Sequence, residues 1–197
     1  PEPPVPMSAR GAERSTWNIV GRLKLGRRSF GGRAGSGEGA YTLRMGAATK
    51  LQTFDELYAL IAALPEGQHG EILGPGWVRT MSRPSGRHAS FARGALRAFG
   101  EIDTKGGGDW WIDAEREMIF DGGKLYVPDL AGWLVGDGDL SFTDEIPLTR
   151  TPDWIGEILS RSTQRADRAI KLPTYAQAGV SHVWIIDVDA ETIEVYA

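Results

Sequence analysis

Cysteine is absent from the 197 residues. That excludes disulfides and thiolate metal sites, and it fits a reducing compartment. No apolar run approaches the roughly 18 residues needed to span a bilayer. No signal-peptide core is visible either. A cytoplasmic protein, with no membrane partner, is the expectation. Phosphate-loop patterns are missing too: there is no GxxxxGK[ST] and no GxGxxG opening a helix after a strand. A nucleotide-binding enzyme therefore has no support. Internal repeats are lacking, and so is an overall positive charge, since the formal net charge is -4.

What is present suits one globular domain with a core: 41% of residues are hydrophobic and 24% charged. Charge is unevenly spread. Residues 1–50 hold nine basic and three acidic residues, and residues 51–197 hold thirteen and twenty-three. An acidic body that acts on a polyanion must gather positive charge locally, or let metal ions offset its carboxylates. The first segment opens with Pro1-Glu2-Pro3-Pro4-Val5-Pro6 and runs through a Gly-rich stretch around Gly31-Gly32. Its poor apolar periodicity reads as a flexible basic segment over 1–50. The ordered domain is expected over 51–197, with a sheet edge left incomplete at its C-terminus.

Thr53-Phe54-Asp55-Glu56 has the form of a capping box, and the apolar residues after it predict a helix ending near Pro65. Gly70-Glu71-Ile72-Leu73 and Trp77 to Met81 flank Gly74-Pro75-Gly76, which reads as a hairpin. His88 to Phe99 has helical spacing. Trp110-Trp111-Ile112, Glu117 to Phe120 and Leu125 to Val135 read as strands, and so do Trp154 to Leu159, His182 to Asp187 and Ile193 to Tyr196. Arg165 to Ala178 reads as a helix with Pro173 as a kink. Strands clustered between helices give an α/β class: a mixed sheet flanked by helices.

Two acids sit inside apolar strands, Asp129 and Glu157. An unpaired ionised carboxylate there is costly. A lone strand acid usually faces solvent, but two raise the question of a shared cation. Mg²⁺ takes oxygen ligands, with one or two carboxylates and substrate phosphates among them. Pro128 hints at a bend, and Gly156 at room for a ligand. Lys171 follows Asp167 by four residues. On spacing alone, an i,i+4 ion pair on a wet helix face is the favoured reading.

The string Pro152-Asp153-Trp154-Ile155-Gly156-Glu157-Ile158-Leu159-Ser160 resembles a strand motif of the Uma-two family. This is a large bacterial family of restriction endonucleases in the PD-(D/E)XK, restriction-endonuclease-like superfamily. Arg165, Asp167, Lys171, Tyr175, Gly179-Val180, Val183-Trp184 and Asp187 continue the match. Upstream, Val127-Pro128-Asp129-Leu130 resembles the "PD" strand, Gly70-Glu71 the acidic residue beside a hairpin, and His88 a histidine opening a helix. The resemblance covers roughly residues 52 to 197. It departs from the superfamily pattern at Leu159, where a lysine is usual; the family match for that lysine is Lys171.

The resemblance implies a DNA endonuclease that hydrolyses phosphodiester bonds. Asp129, Glu157 and Lys171 would be catalytic, with Mg²⁺ or Mn²⁺ on Asp129, Glu157 and a neighbouring backbone carbonyl. Glu71 would add a carboxylate to the metal, directly or through water, or else be an exposed strand acid. His88 would contact a phosphate or help open the site, or else simply begin a helix. Arg87, Gln164 and Arg165 are candidate phosphate contacts, with a solvated helix face as the plainer reading for the arginines. A homodimer is common in such folds. The rival reading is a nuclease-fold DNA-binding or regulatory domain that no longer cleaves.

Overall fold

The computed structural model describes residues 19–24, 41–44, 52–82, 86–100, 102–103, 108–136, 140–160 and 163–197. The elements begin with strands β1 (Ile19–Lys24) and β2 (Tyr41–Arg44), then helix α1 (Phe54–Ala62). The hairpin β3 (Gln68–Gly74) and β4 (Trp77–Ser82) follows, then α2 (Gly86–Ala98). Next come β5 (Trp110–Asp113), β6 (Met118–Phe120), β7 (Lys124–Tyr126), β8 (Leu130–Leu134) and β9 (Trp154–Ile158). A third helix leads to β10 (His182–Asp187) and β11 (Thr192–Tyr196).

The strands form two sheets. One has the order β1-β11-β10-β9-β8-β5 and the other β2-β4-β3-β7-β6. The first is mixed: β9 and β10 run parallel, and the third helix makes the crossover that a parallel pair requires. The main core lies between the sheets. Trp111, Trp133, Ile155, Val183 and Ile185 of the first meet Leu73, Met118, Phe120 and Tyr126 of the second. On the far face of the first sheet, Leu130, Trp154, Ile158 and Ile186 pack under Phe91, Ala95 and Leu96 of α2 and Phe99 just after it. Helix α1 closes the second sheet by laying Leu57 and Ile61 on Ile72 and Leu125. Each such side chain fully buried contributes roughly 1.5–3 kcal/mol. The expected α1 cap is present, with Thr53 Oγ1 accepting from the Glu56 amide and Glu56 accepting from the Thr53 amide.

Three expectations need correction. The apolar run from Leu125 to Val135 is not one strand. It is β7 in the second sheet and β8 in the first, with Val127-Pro128-Asp129 passing between them. Pro128 has no N–H to give a ladder, so pairing stops there and the chain changes sheets. Within the segment expected to be flexible, Ile19–Lys24 pairs antiparallel with β11, and Tyr41–Arg44 with β4. Such edge pairing rests on backbone hydrogen bonds and leaves little apolar periodicity to read. The rest of residues 1–50 lies outside the described residues. Finally, β11 has β10 on one side and β1 on the other, so the edge expected there is covered. Among the described residues no helix is long and apolar enough to cross a membrane.

Candidate active site between the sheets

The third helix has three parts: Gln164–Ala166, a π-turn over Asp167–Lys171, and Leu172–Gln177. Single π-turns are rare inside helices and cluster at functional sites. Pro173 stands two residues beyond this one. Its ring excludes a carbonyl from the preceding turn and its nitrogen donates nothing, which favours a widened turn just before it. The turn carries Asp167 and Lys171 inward, where each is 2% exposed. The reading of this pair as a wet surface ion pair is therefore overturned.

Lys171 Nζ lies 2.8 Å from Glu71 Oε1, 3.1 Å from Glu157 Oε1 and 3.5 Å from Asp167 Oδ1. Glu71 is 0% exposed, not a solvent-facing strand acid. Its Oε1 also accepts from the Val127 amide at 3.0 Å, and its Oε2 is paired with the Arg79 guanidinium. Tyr175 donates its hydroxyl to Glu157 Oε1 at 2.5 Å. The site thus draws on β3, β4, β9 and the third helix, and it sits in the seam between the two sheets.

Asp129 stands at the corner where the chain changes sheets. Leu130 pairs with Gly156, so one step back along the ladder brings Asp129 opposite Glu157. Asp129 Oδ2 accepts from the Ile158 amide at 2.7 Å. His88, near the start of α2, reaches the same place: its Nε2 lies 2.8 Å from the Ile158 carbonyl oxygen and 3.4 Å from Asp129 Oδ1. The structure therefore brings Asp129, Glu157, Lys171, Glu71 and His88 into one neighbourhood. It does not bring in the proposed phosphate contacts. Gln164 and Arg165 are exposed on the helix start, and Arg87 is paired with Asp189 at 3.1 Å on the surface.

Burial and crowding set the electrostatics. Burial, with the nearby carboxylates of Asp167, Asp129 and Glu71, pushes the Glu157 carboxyl up to about 8 against the pull of Lys171. Burial also raises Asp167, despite Lys171 and Arg79. Glu71 goes the other way. Burial would raise it, but Lys171, Arg79 and the Val127 amide together hold it below its ordinary value. Burial would lower Lys171, but Glu157, Glu71 and Asp167 outweigh it and keep the amine protonated.

The donor set fits a hard divalent cation at its Asp129 end. One His88 nitrogen faces both Asp129 Oδ1 and the Ile158 carbonyl, so two oxygen donors converge on one point. The crowding of Glu157 by other carboxylates is what an added positive charge relieves. Among the described residues, no three His, Asp or Glu side chains already form a cage. Any cation would thus rely on the backbone carbonyl, waters or substrate oxygens for part of its shell. The room expected over Gly156 is not free for a ligand. A Cβ there would meet the Trp154 ring at 3.0 Å, so the indole fills that space.

Arg79, Asp167 and Tyr175 were not singled out from the sequence as members of the site. Arg79 was readable in part. It stands directly across the hairpin from Glu71, but only because the register shifts between Ile72 and Gly74; counting back from the turn without that shift would put Thr80 there. Asp167 and Tyr175 depend on the π-turn, which leaves no mark in apolar spacing.

Among curated proteins none matches the chain. The fold is similar to the crystal structure of a "putative nuclease" belonging to DUF820 from Anabaena variabilis, with a TM-score of 0.56 and 23% identity. That alignment covers 74% of this chain and 79% of the other. The α/β architecture is thus that of a nuclease fold, with a restriction-endonuclease-like core. The model of the Uma-two (Uma2) family, described as "Putative restriction endonuclease", matches residues 51–197. With that match spanning β3 to β11 and every residue of the seam, the chain belongs to the Uma-two family.

Proposed function

We propose that the protein is a metal-dependent endonuclease that hydrolyses phosphodiester bonds in DNA, with Asp129, Glu157 and Lys171 as its catalytic set. The observation that carries this reading is the placement of Glu157: opposite Asp129 in the ladder and 3.1 Å from the Lys171 amine, in the seam between the sheets. Asp129, Glu157 and the Ile158 carbonyl would hold Mg²⁺ or Mn²⁺. Such an ion polarises a phosphate oxygen and lowers the pKa of a bound water.

The residues of the chain do the rest. Lys171, kept protonated by its carboxylates, offers a fixed positive charge beside Glu157. Such a preorganised charge stabilises negative charge that develops on phosphorus oxygens. Tyr175 fixes the Glu157 carboxyl from the other side with its hydroxyl. His88 Nε2 stands where the Ile158 carbonyl and Asp129 Oδ1 converge, the two oxygens that a cation would share. Gln164 and Arg165 are exposed at the helix start and Arg87 pairs with Asp189 on the surface, so the three would reach a phosphate backbone only as peripheral contacts.

The test is cleavage of supercoiled plasmid and single-stranded DNA with Mg²⁺ or Mn²⁺. Wild type is compared with Asp129→Ala, Glu157→Ala and Lys171→Ala. Metal-dependent cutting by the wild type, lost in all three variants, is the expected outcome. A folded wild type that binds DNA without cutting would leave a nuclease-fold binding or regulatory domain as the better reading.

A further inference from the structure

We propose that Glu71 and Arg79 form a positioning pair that sets Lys171 against Glu157 and ties the Asp129 corner into the site, and that Glu71 is not a ligand of the metal. This rests on the nuclease reading only for the task of Lys171. A carboxylate has about four lone-pair positions. Those of Glu71 are all taken. Oε1 receives the Lys171 amine at 2.8 Å and the Val127 amide at 3.0 Å. Oε2 receives Arg79 Nε at 3.1 Å and Arg79 Nη2. At 0% exposure, no water competes for them. A cation could bind Glu71 only by evicting one of these donors.

Each donor belongs to a different part of the molecule. Val127 lies two residues before Asp129, so its hydrogen bond to Glu71 fixes the corner that presents that acid. Lys171 comes from the π-turn of the third helix. Arg79 comes from the opposite strand of the hairpin and also reaches to 3.8 Å from Asp167 Oδ1. Arg79 therefore draws on both carboxylates that grip Lys171 from behind. Without it, Glu71 and Asp167 would present their full charge to the amine and pull it away from Glu157. The pair sets where the lysine sits while touching neither metal nor substrate.

The experiment combines three readouts on Glu71→Gln and on the double variant Glu71→Gln/Arg79→Met. The double variant removes both charges together and so guards against a single variant that fails to fold. The readouts are Mn²⁺ binding by calorimetry, trace acetylation of Lys171 followed by mass spectrometry, and the split of plasmid cleavage into kcat and KM. Asp129→Asn serves as the ligand-deletion control. The expected result is Mn²⁺ affinity close to wild type and a fall in kcat with little change in KM. Lys171 acetylation should be faster in Glu71→Gln, because the amine loses the buried carboxylate that holds it at 2.8 Å.

A loss of Mn²⁺ binding in Glu71→Gln as complete as that in Asp129→Asn would make Glu71 part of the metal site and overturn the proposal. Unchanged Lys171 acetylation in a folded Glu71→Gln, or an unchanged kcat in the folded double variant, would overturn the positioning role. A wild type that binds no Mn²⁺ would instead sink the metal reading itself, and the acetylation arm would still decide whether the pair positions Lys171.

Discussion

At the scale of single residues, the site is a problem of balancing buried charge. Glu71, Glu157 and Asp167 share a dry seam with Lys171 and Arg79. Breaking such a cluster on one side leaves an uncompensated charge, which typically costs about 3–5 kcal/mol. Glu157 carries the pH dependence. Its ordinary value is 4.5 and burial with its acidic neighbours pushes it up to about 8. The folded protein therefore holds a proton there that the unfolded chain gives up across that window. Stability from this group is complete below the lower value and is lost as pH rises through the upper one, by up to about 1.4 kcal/mol per pH unit. Glu71 acts in the opposite sense, since its lowered pKa favours the folded state above its ordinary range. Urea unfolding of wild type and Glu157→Gln at pH 5, 6.5 and 8 separates the two. The wild type should lose stability with rising pH and the variant should lose much less; parallel slopes would rule out the Glu157 contribution. Of these residues, Asp129 and Glu157 stood out in sequence because acids inside apolar strands are conspicuous. Lys171 emerged only from the family resemblance, since its spacing from Asp167 suits a solvated helix equally well.

At the scale of elements, the hairpin and the strands around Trp110, Trp154 and His182 were legible because their patterns are local. The break at Pro128 was half legible. A proline marks an interrupted ladder, but nothing nearby says that the chain resumes in another sheet. The π-turn was not legible, because its cause, a proline two residues on, reads equally as a kink. Gly156 was misread for a related reason. The missing side chain signals close approach, but the approaching group is the Trp154 indole of the same strand. A methyl group there would meet ring atoms at 3.0 Å and the Leu130 Cβ at 3.4 Å. Gly156→Ala should therefore cost about 1–3 kcal/mol through overpacking. The indole should shift with it, so a changed tryptophan emission should accompany the lower urea midpoint. A variant as stable as wild type, with unchanged emission, would mean that β9 and its neighbours yield freely.

At the scale of the whole molecule, charge and topology are the features that sequence conveys least. The net charge of -4 says little about a nucleic-acid partner, because the basic excess is confined to residues 1–50. Two strands of that segment cover edges, β1 on β11 and β2 on β4. An uncovered edge is a row of unpaired backbone groups and a template for association. A chain beginning at residue 51 should therefore associate as its concentration rises, seen by light scattering, while the full chain does not. Equal behaviour of the two would show that these edges are protected without β1 and β2. The sheet order itself was beyond reach of the sequence: β3–β4, β6–β7 and β10–β11 are local hairpins, but β1–β11, β2–β4 and β3–β7 join segments far apart in the chain and leave no local trace.

The hydrogen bond from the Val127 amide to Glu71 gives the seam an internal gauge. This amide is tied to a buried side chain of the neighbouring strand, not to a ladder carbonyl, so its proton exchanges only when the buried Glu71 carboxylate lets go of it at the corner. Its exchange rate would time the opening of the seam itself, and a substrate or inhibitor that wedges the sheets apart would register there before any strand melts.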